Sequence, residues 1–268
     1  MCTIGFEVKD MSAANPFAES GHRGGVVAGF DGSDCARGAI LWAAAEAAHR
    51  RRSLLLVHAQ LTAITSAWGT VAAPGWGAAA VFDDTPLLRQ AEEQVRAAAE
   101  ECRQLEPGLD VEARVVAGRA APTLLEAART VDAELLVVGM SGLGVLPRTL
   151  IGCTATDLVN QADQPVVAVH GGPAHRSGPV VVGVDGTAET MSALQFASTY
   201  ADRHACELRP VHDDVDTLLA HSEEAQLLVV RDRGHGVVHR AVFGSVSRAA
   251  LSRALCSVAV LPSAPVSV

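Results

Sequence analysis

Aromatic residues are scarce in this chain: six Phe, three Trp and one Tyr make up 4% of its 268 residues. An interior built without large rings must be filled by Ala, Val and Leu, and the apolar share of 49% supplies ample material. Cationic charge is also short, with 21 Lys and Arg against 30 Asp and Glu, a net charge of −9. That balance excludes a broad nucleic-acid surface, which needs clustered cations to displace counterions, and attachment to an anionic membrane surface. A local anion site survives, because helix N-termini and a few arginines act at short range. No apolar run approaches the ~20 residues of a membrane helix. Residues 1–23 mix Glu, Lys, Asp, Pro and His, with no stretch resembling a secretory signal. The cysteines (Cys2, Cys35, Cys102, Cys153, Cys206, Cys256) show neither CxxC pairs nor zinc-ligand spacing. These absences point to a cytoplasmic, reducing setting, and residues 1–23 are expected to be a disordered arm.

What the chain does have is a repeat. Gly142, Gly144, Val145, Arg148 and Gly152 are answered at the same spacing by Gly234, Gly236, Val237, Arg240 and Gly244. Each copy opens on an apolar run ending in a turn, Asp31-Gly32-Ser33 in one and Asp185-Gly186-Thr187 in the other. His58 and His212 stand at matching distances beyond those aspartates. Predicted strands over 24–30, 54–59, 111–116, 135–138 and 166–169 alternate with predicted helices over 35–51, 87–105, 122–130 and 154–161. Residues 60–83 read as one long loop. Strands apolar on both faces and alternating with helices imply a parallel sheet covered on both sides. Leu135-Leu136-Val137-Val138 recurs as Leu227-Leu228-Val229-Val230, but the second copy has lost about sixty residues after His212. The expected organisation is a first domain over 24–172, a linker over 173–179 and a truncated second domain over 180–268.

With these turns, histidines and glycines the chain resembles a tandem universal stress protein. The family loop is written G-x2-G-x9-G-[S/T]. The first copy gives Gly139, Gly142, Gly152 and Cys153; the second gives Arg231, Gly234, Gly244 and Ser245, continuing into Val246-Ser247. The resemblance implies two open Rossmann-like parallel sheets of strand order 3-2-1-4-5, the second lacking edge strand 3 and its preceding helix. It implies a cytoplasmic stress-response regulator, not an enzyme, that binds ATP, ADP or AMP, with or without Mg2+. The implied contacts are Gly29, Asp31, Ala59, Gly139, Gly142, Arg148, Gly152, Cys153 and Thr154, then Asp185, Asp213, Gly234, Arg240, Gly244, Ser245, Val246 and Ser247. Partners would be an adenine nucleotide and, through the last strand of each copy, the other copy within the chain or a second chain.

Each of these residues also has a plainer reading. The glycine loop is either an anion cradle of N–H groups at a helix start or a tight strand-to-helix connection. Asp31 and Asp185 either hold ribose or adenine or cap the turn that follows them. His58 and His212 read as ordinary strand residues, and Arg148 and Arg240 as phosphate ligands or solvated loop cations. Cys153 puts a weak thiol donor where the family has a hydroxyl. It stands at a helix start as a candidate redox thiol or as an inert one. Thr154 either replaces the missing hydroxyl or forms a capping box with Asp157. Arg231 in place of the first loop glycine carries strain if that position needs φ > 0. The second reading of the whole chain is a nucleotide-independent interaction module.

Overall fold

Ten short strands, most of them apolar, line up in one sheet in the computed structural model, which describes residues 9–10, 15–18, 20–61, 85–140, 152–170, 177–187, 190–212, 215–232 and 244–262. The first copy of the repeat contains β2 (Val26–Gly29), α1 (Asp34–Arg50), β3 (Leu54–Gln60), α2 (Thr85–Leu105) and β4 (Val111–Ala117). It continues through α3 (Ala120–Thr130), β5 (Leu135–Gly139), α4 (Cys153–Gln161) and β6 (Val166–Val169). The second copy contains β7 (Val180–Gly183), α5 (Met191–His204), β8 (Leu208–Val211) and α6 (Val215–His221). It ends with β9 (Leu227–Arg231), α7 (Ser245–Arg253) and β10 (Ser257–Leu261). β1 (Lys9–Asp10) precedes both. The order β1-β4-β3-β2-β5-β6-β10-β9-β7-β8 contains the expected 3-2-1-4-5 arrangement in the first copy and 2-1-4-5 in the second.

The scarcity of aromatics explains the packing. Ala36, Ala39, Ala43, Ala44 and Ala47 of α1 are all buried, and these short side chains let the helix lie close to the Val and Leu of the sheet. Ser33 starts α1 by accepting the Ala36 N–H at 3.1 Å, and Arg51 ends it in the left-handed conformation. One face of the sheet packs α1, α2 and α5; the other packs α3, α4, α6 and α7. Both apolar clusters run through both copies of the repeat without a break.

The segment before residue 24 departs from expectation. Lys9 and Asp10 pair in parallel with Val116 and Ala117, and Phe17 is fully buried in the core. A polar cluster fixes this arm to β4. His22 Nε2 lies 2.9 Å from Glu112, Ser20 donates to Glu112 at 2.9 Å, and Arg114 binds both Glu112 and the Pro16 carbonyl. Burial pushes the Glu112 carboxyl up, but His22, Arg114 and Ser20 together bring it down to about 2. A disordered arm over 1–23 is therefore incorrect for its described part, because Phe17 buries a large apolar surface and β4 offers an open edge.

The two copies meet at β6 and β10, which pair antiparallel with Val258 opposite Ala168 and Val260 opposite Val166. Every other pairing in the sheet is parallel. Above this seam the corresponding helices α1 and α5 exchange an ion cluster. The carboxylate of Glu46, 1% exposed, meets Arg50 at 2.5 Å, Arg203 at 3.1 Å and His204 Nε2 at 2.7 Å. His204 stacks between Tyr200 and His49, at centroid distances of 4.0 and 4.4 Å. Burial alone would raise the Glu46 pKa; the His204 hydrogen bond and the Arg50 charge outweigh it and hold the group ionised.

Loss of strand 3 leaves β8 as a sheet edge. Glu207 and Val211 accept from the β7 N–H groups of Val180 and Val184, so alternate residues of β8, Leu208 and Pro210, turn their main-chain groups outward. Pro210 has no N–H to offer, and an incoming strand meets a gap in the ladder there. Replacing it should restore a template: Pro210→Val is expected to self-associate more than wild type at equal concentration, read by light scattering. Identical association would remove this role from Pro210. At the seam, Glu46→Gln leaves Arg50, Arg203 and His204 without their carboxylate and is expected to destabilise the fold by about 3–5 kcal/mol at pH 7 in urea unfolding. A carboxyl with a lowered folded pKa stabilises above its unfolded value of ~4.3 and loses that contribution as pH falls. The gap between wild type and variant should therefore narrow below about pH 4, and a constant gap would exclude Glu46 ionisation as its source.

Candidate functional site

Strand order reverses between the first and fourth strands of each copy, and in open α/β sheets ligands bind at such a point, beyond the strand carboxyl ends. In the first copy this is the end of β2 and β5. Asp31 lies just past β2, and its Oδ1 accepts the Ser33 N–H at 3.0 Å, so one oxygen holds the turn. Gly29 is a packing requirement, since a Cβ there would lie 2.9 Å from the Leu124 side chain. Gly139 is another: a Cβ would lie 3.0 Å from the main chain of Cys35 and Ala36, where the first turn of α1 abuts the end of β5. Neither Gly139 nor Arg231 has positive φ, so strain at that position comes from close approach and not from handedness.

Ala59 is placed by register. Ser53 and Val57 accept from the β2 N–H groups of Val26 and Phe30, while Gln60 accepts from Gly118 on the β4 side. By the two-residue period, the N–H and C=O of Ala59 face the β2 side, beyond the residue where β2 turns away. His58 is buried, with Nε2 3.1 Å from Gln60 Oε1 and Nδ1 without a hydrogen-bond partner among the described residues. Gly152 is the N-cap of α4 at φ −61, its N–H bonded to the Met140 carbonyl at 2.9 Å. Cys153 is exposed as the first helical residue and Thr154 is the second. A Thr154–Asp157 capping box does not form, because the helix already starts one residue earlier. Gly142 and Arg148 lie outside the described residues.

The second crevice holds a cavity of about 290 Å³ lined by Val184, Asp185, His212, Leu218, Val230 and Arg231, among others. Asp185 Oδ1 accepts from the Thr187 N–H at 3.0 Å, the Thr187 hydroxyl at 2.6 Å and the Thr190 hydroxyl at 3.0 Å. With Arg231 in place of the glycine, α5 starts at Met191, six residues past Asp185, whereas α1 starts three past Asp31. Gly244 caps α7 and Ser245 is its exposed first residue. Val246 lines the cavity and Ser247 is fully buried. Asp213, Gly234 and Arg240 lie outside the described residues.

One residue of this site escaped sequence reasoning. Asp232 Oδ1 accepts the Gly244 N–H and the Ser247 hydroxyl, each at 3.0 Å. Its counterpart Met140 is buried and uses only its carbonyl for the same purpose. The available signal was an acidic residue directly after Arg231, where the first copy has an apolar one. Among the described residues no group of three or more His, Cys, Asp or Glu could hold a metal ion, and no helix is long and apolar enough to cross a membrane.

The universal stress protein family model matches residues 24–170 and 212–262. A universal stress protein of Mycolicibacterium smegmatis is 32% identical over 195 residues, covering 72% of this chain and 64% of the relative. One from Mycobacterium tuberculosis is 32% identical over 205 residues, covering 72% of this chain and 65% of the relative. The chain thus spans a little under two thirds of the length of these relatives. Among solved structures, a universal stress protein from Archaeoglobus fulgidus superposes on 89% of the chain with a TM-score of 0.66 at 14% identity, a likeness of fold. A universal stress protein solved in complex with cAMP covers 56% of the chain at 26% identity and a TM-score of 0.41. Sequence match and strand order agree: the chain belongs to the universal stress protein family.

Proposed function

We propose that the chain is a cytoplasmic stress-response regulator that binds an adenine nucleotide, ATP, ADP or AMP, in the crevice of its first copy and acts through binding without turnover. In this reading residues 24–172 form the nucleotide domain, and 180–268 form a truncated partner domain paired with it through β6 and β10. The observation that carries the reading is the direction of Ala59: a main-chain donor and acceptor face the crevice where β2 has ended, a match for the edge of an adenine ring. Asp31 follows β2 with one oxygen held in the turn, and in this proposal its carboxylate takes the ribose. The start of α4, capped by Gly152, would offer phosphate the N–H groups of Cys153 and Thr154 and the positive end of a helix dipole, the Gly152 N–H being held by the Met140 carbonyl. Gly142 and Arg148 complete the loop in this proposal. Mg2+ would arrive with the phosphates of ATP.

Gly152→Asp tests this assignment without harm to the fold. At φ −61 and ψ 144 the backbone conformation suits any residue, and Asp is a better N-cap than Gly by a few tenths of a kcal/mol, which offsets a tight contact of its Cβ at 3.3 Å from the Met140 carbonyl oxygen. The same carboxylate would repel a phosphate on the helix axis by roughly 1–4 kcal/mol. ATP affinity in calorimetry is therefore expected to fall at least tenfold while the melting temperature holds or rises. Unchanged affinity in this variant would remove α4 from the site. An absence of binding to ATP, ADP and AMP in wild type would favour the interaction-module reading.

A further inference from the structure

The second crevice does not fit a phosphate, and the misfit has one residue at its centre. If a nucleotide lay over β7 and β9 as proposed over β2 and β5, its phosphates would need donors at the start of α7. The Gly244 N–H is bonded to Asp232 Oδ1 at 3.0 Å, where in the first copy the Gly152 N–H is bonded to the uncharged Met140 carbonyl at 2.9 Å. The buried Ser247 hydroxyl, which stands where the first copy has Ala155, lies 3.0 Å from the same carboxylate oxygen and 3.1 Å from the Gly244 carbonyl. What the second copy adds is a carboxylate bonded at the start of α7, where a phosphate would meet a like charge. Arg231 lines the cavity beside it, so the pair adds one charge of each sign where Gly139 and Met140 add none.

The rest of the second crevice remains suited to a small uncharged ligand. Val184, Val215, Leu218, Val230 and Val246 give it apolar walls, and Asp185 and His212 give it polar groups at the rim. Its volume of about 290 Å³ lies at the lower end of ordinary ligand cavities. It is the scale of a nucleoside more than of a triphosphate. We propose that Asp232 sets the specificity of this crevice by placing a negative charge at the start of α7, so that the second copy takes an uncharged adenine nucleoside such as adenosine and rejects nucleoside phosphates. The inference rests on the adenine reading of the family crevice given above.

His212 lines this cavity alone and is exposed, so its ring resonances report on the second crevice without interference from the first. The full chain is titrated with adenosine and, separately, with ATP while the His212 signals are followed by NMR. Adenosine is expected to shift them in wild type, and ATP to shift them at least tenfold more weakly. Asp232→Asn keeps an acceptor oxygen for Gly244 and Ser247 but removes the charge. Asp232→Ser also removes the bulk. In either variant, ATP affinity at His212 is expected to rise at least tenfold, and two variants of different size guard against a folding defect in one. Equal ATP response in wild type and both variants would overturn the proposal, as would a His212 signal unmoved by adenosine. If His212 stays silent while the heat of ATP binding remains sensitive to Gly152→Asp, the inference fails and the first-copy site stands. If both are silent, the adenine reading fails with it.

Discussion

The antiparallel pairing of β6 with β10 is the interaction on which the other features depend. Each copy of an open parallel sheet ends on a strand with unpaired N–H and C=O groups, and burying that edge against its counterpart satisfies both at once. The pairing makes one ten-stranded sheet and lets two apolar layers run across it. It also brings α1 and α5 close enough for Glu46 to be shared between Arg50, Arg203 and His204. The second copy can lose its third strand because its other edge is anchored at this seam, leaving only β8 exposed, where Pro210 interrupts the ladder.

The same seam leaves the two crevices free to diverge. Close contact between α1 and Gly139 draws the first helix down onto the strand end. The second copy has Arg231 at the corresponding position, where it lines the cavity near the strand ends. Asp232 then brings an internal anion to the start of α7. A single pair of adjacent substitutions, Arg231 and Asp232 for Gly139 and Met140, distinguishes the second site from the first.

Much of this was legible in the sequence, for identifiable reasons. Strand positions followed from apolar runs separated by helices, strand order from the family resemblance, and the missing segment from the roughly sixty residues lost after His212. The arm was misread because one buried aromatic, Phe17, outweighs the polar residues around it, and no local pattern announces a single anchor. The Thr154–Asp157 pair has the pattern of a cap, but Gly152 starts the helix earlier. Asp31 and Asp185 could be read either way; the structure gives each one oxygen in a turn. Asp232 was invisible because its meaning depends on Gly244 and Ser247, twelve and fifteen residues away.

The central claim is that one fold presents two unlike crevices, of which only the first accepts phosphate. A crystal structure of the chain grown with ATP tests it most directly. The expected map has adenine against the main chain of Ala59, phosphates over the start of α4, and Asp232 still bonded to Gly244 and Ser247. Phosphate density beside Gly244, with the Asp232 side chain turned away, would contradict it.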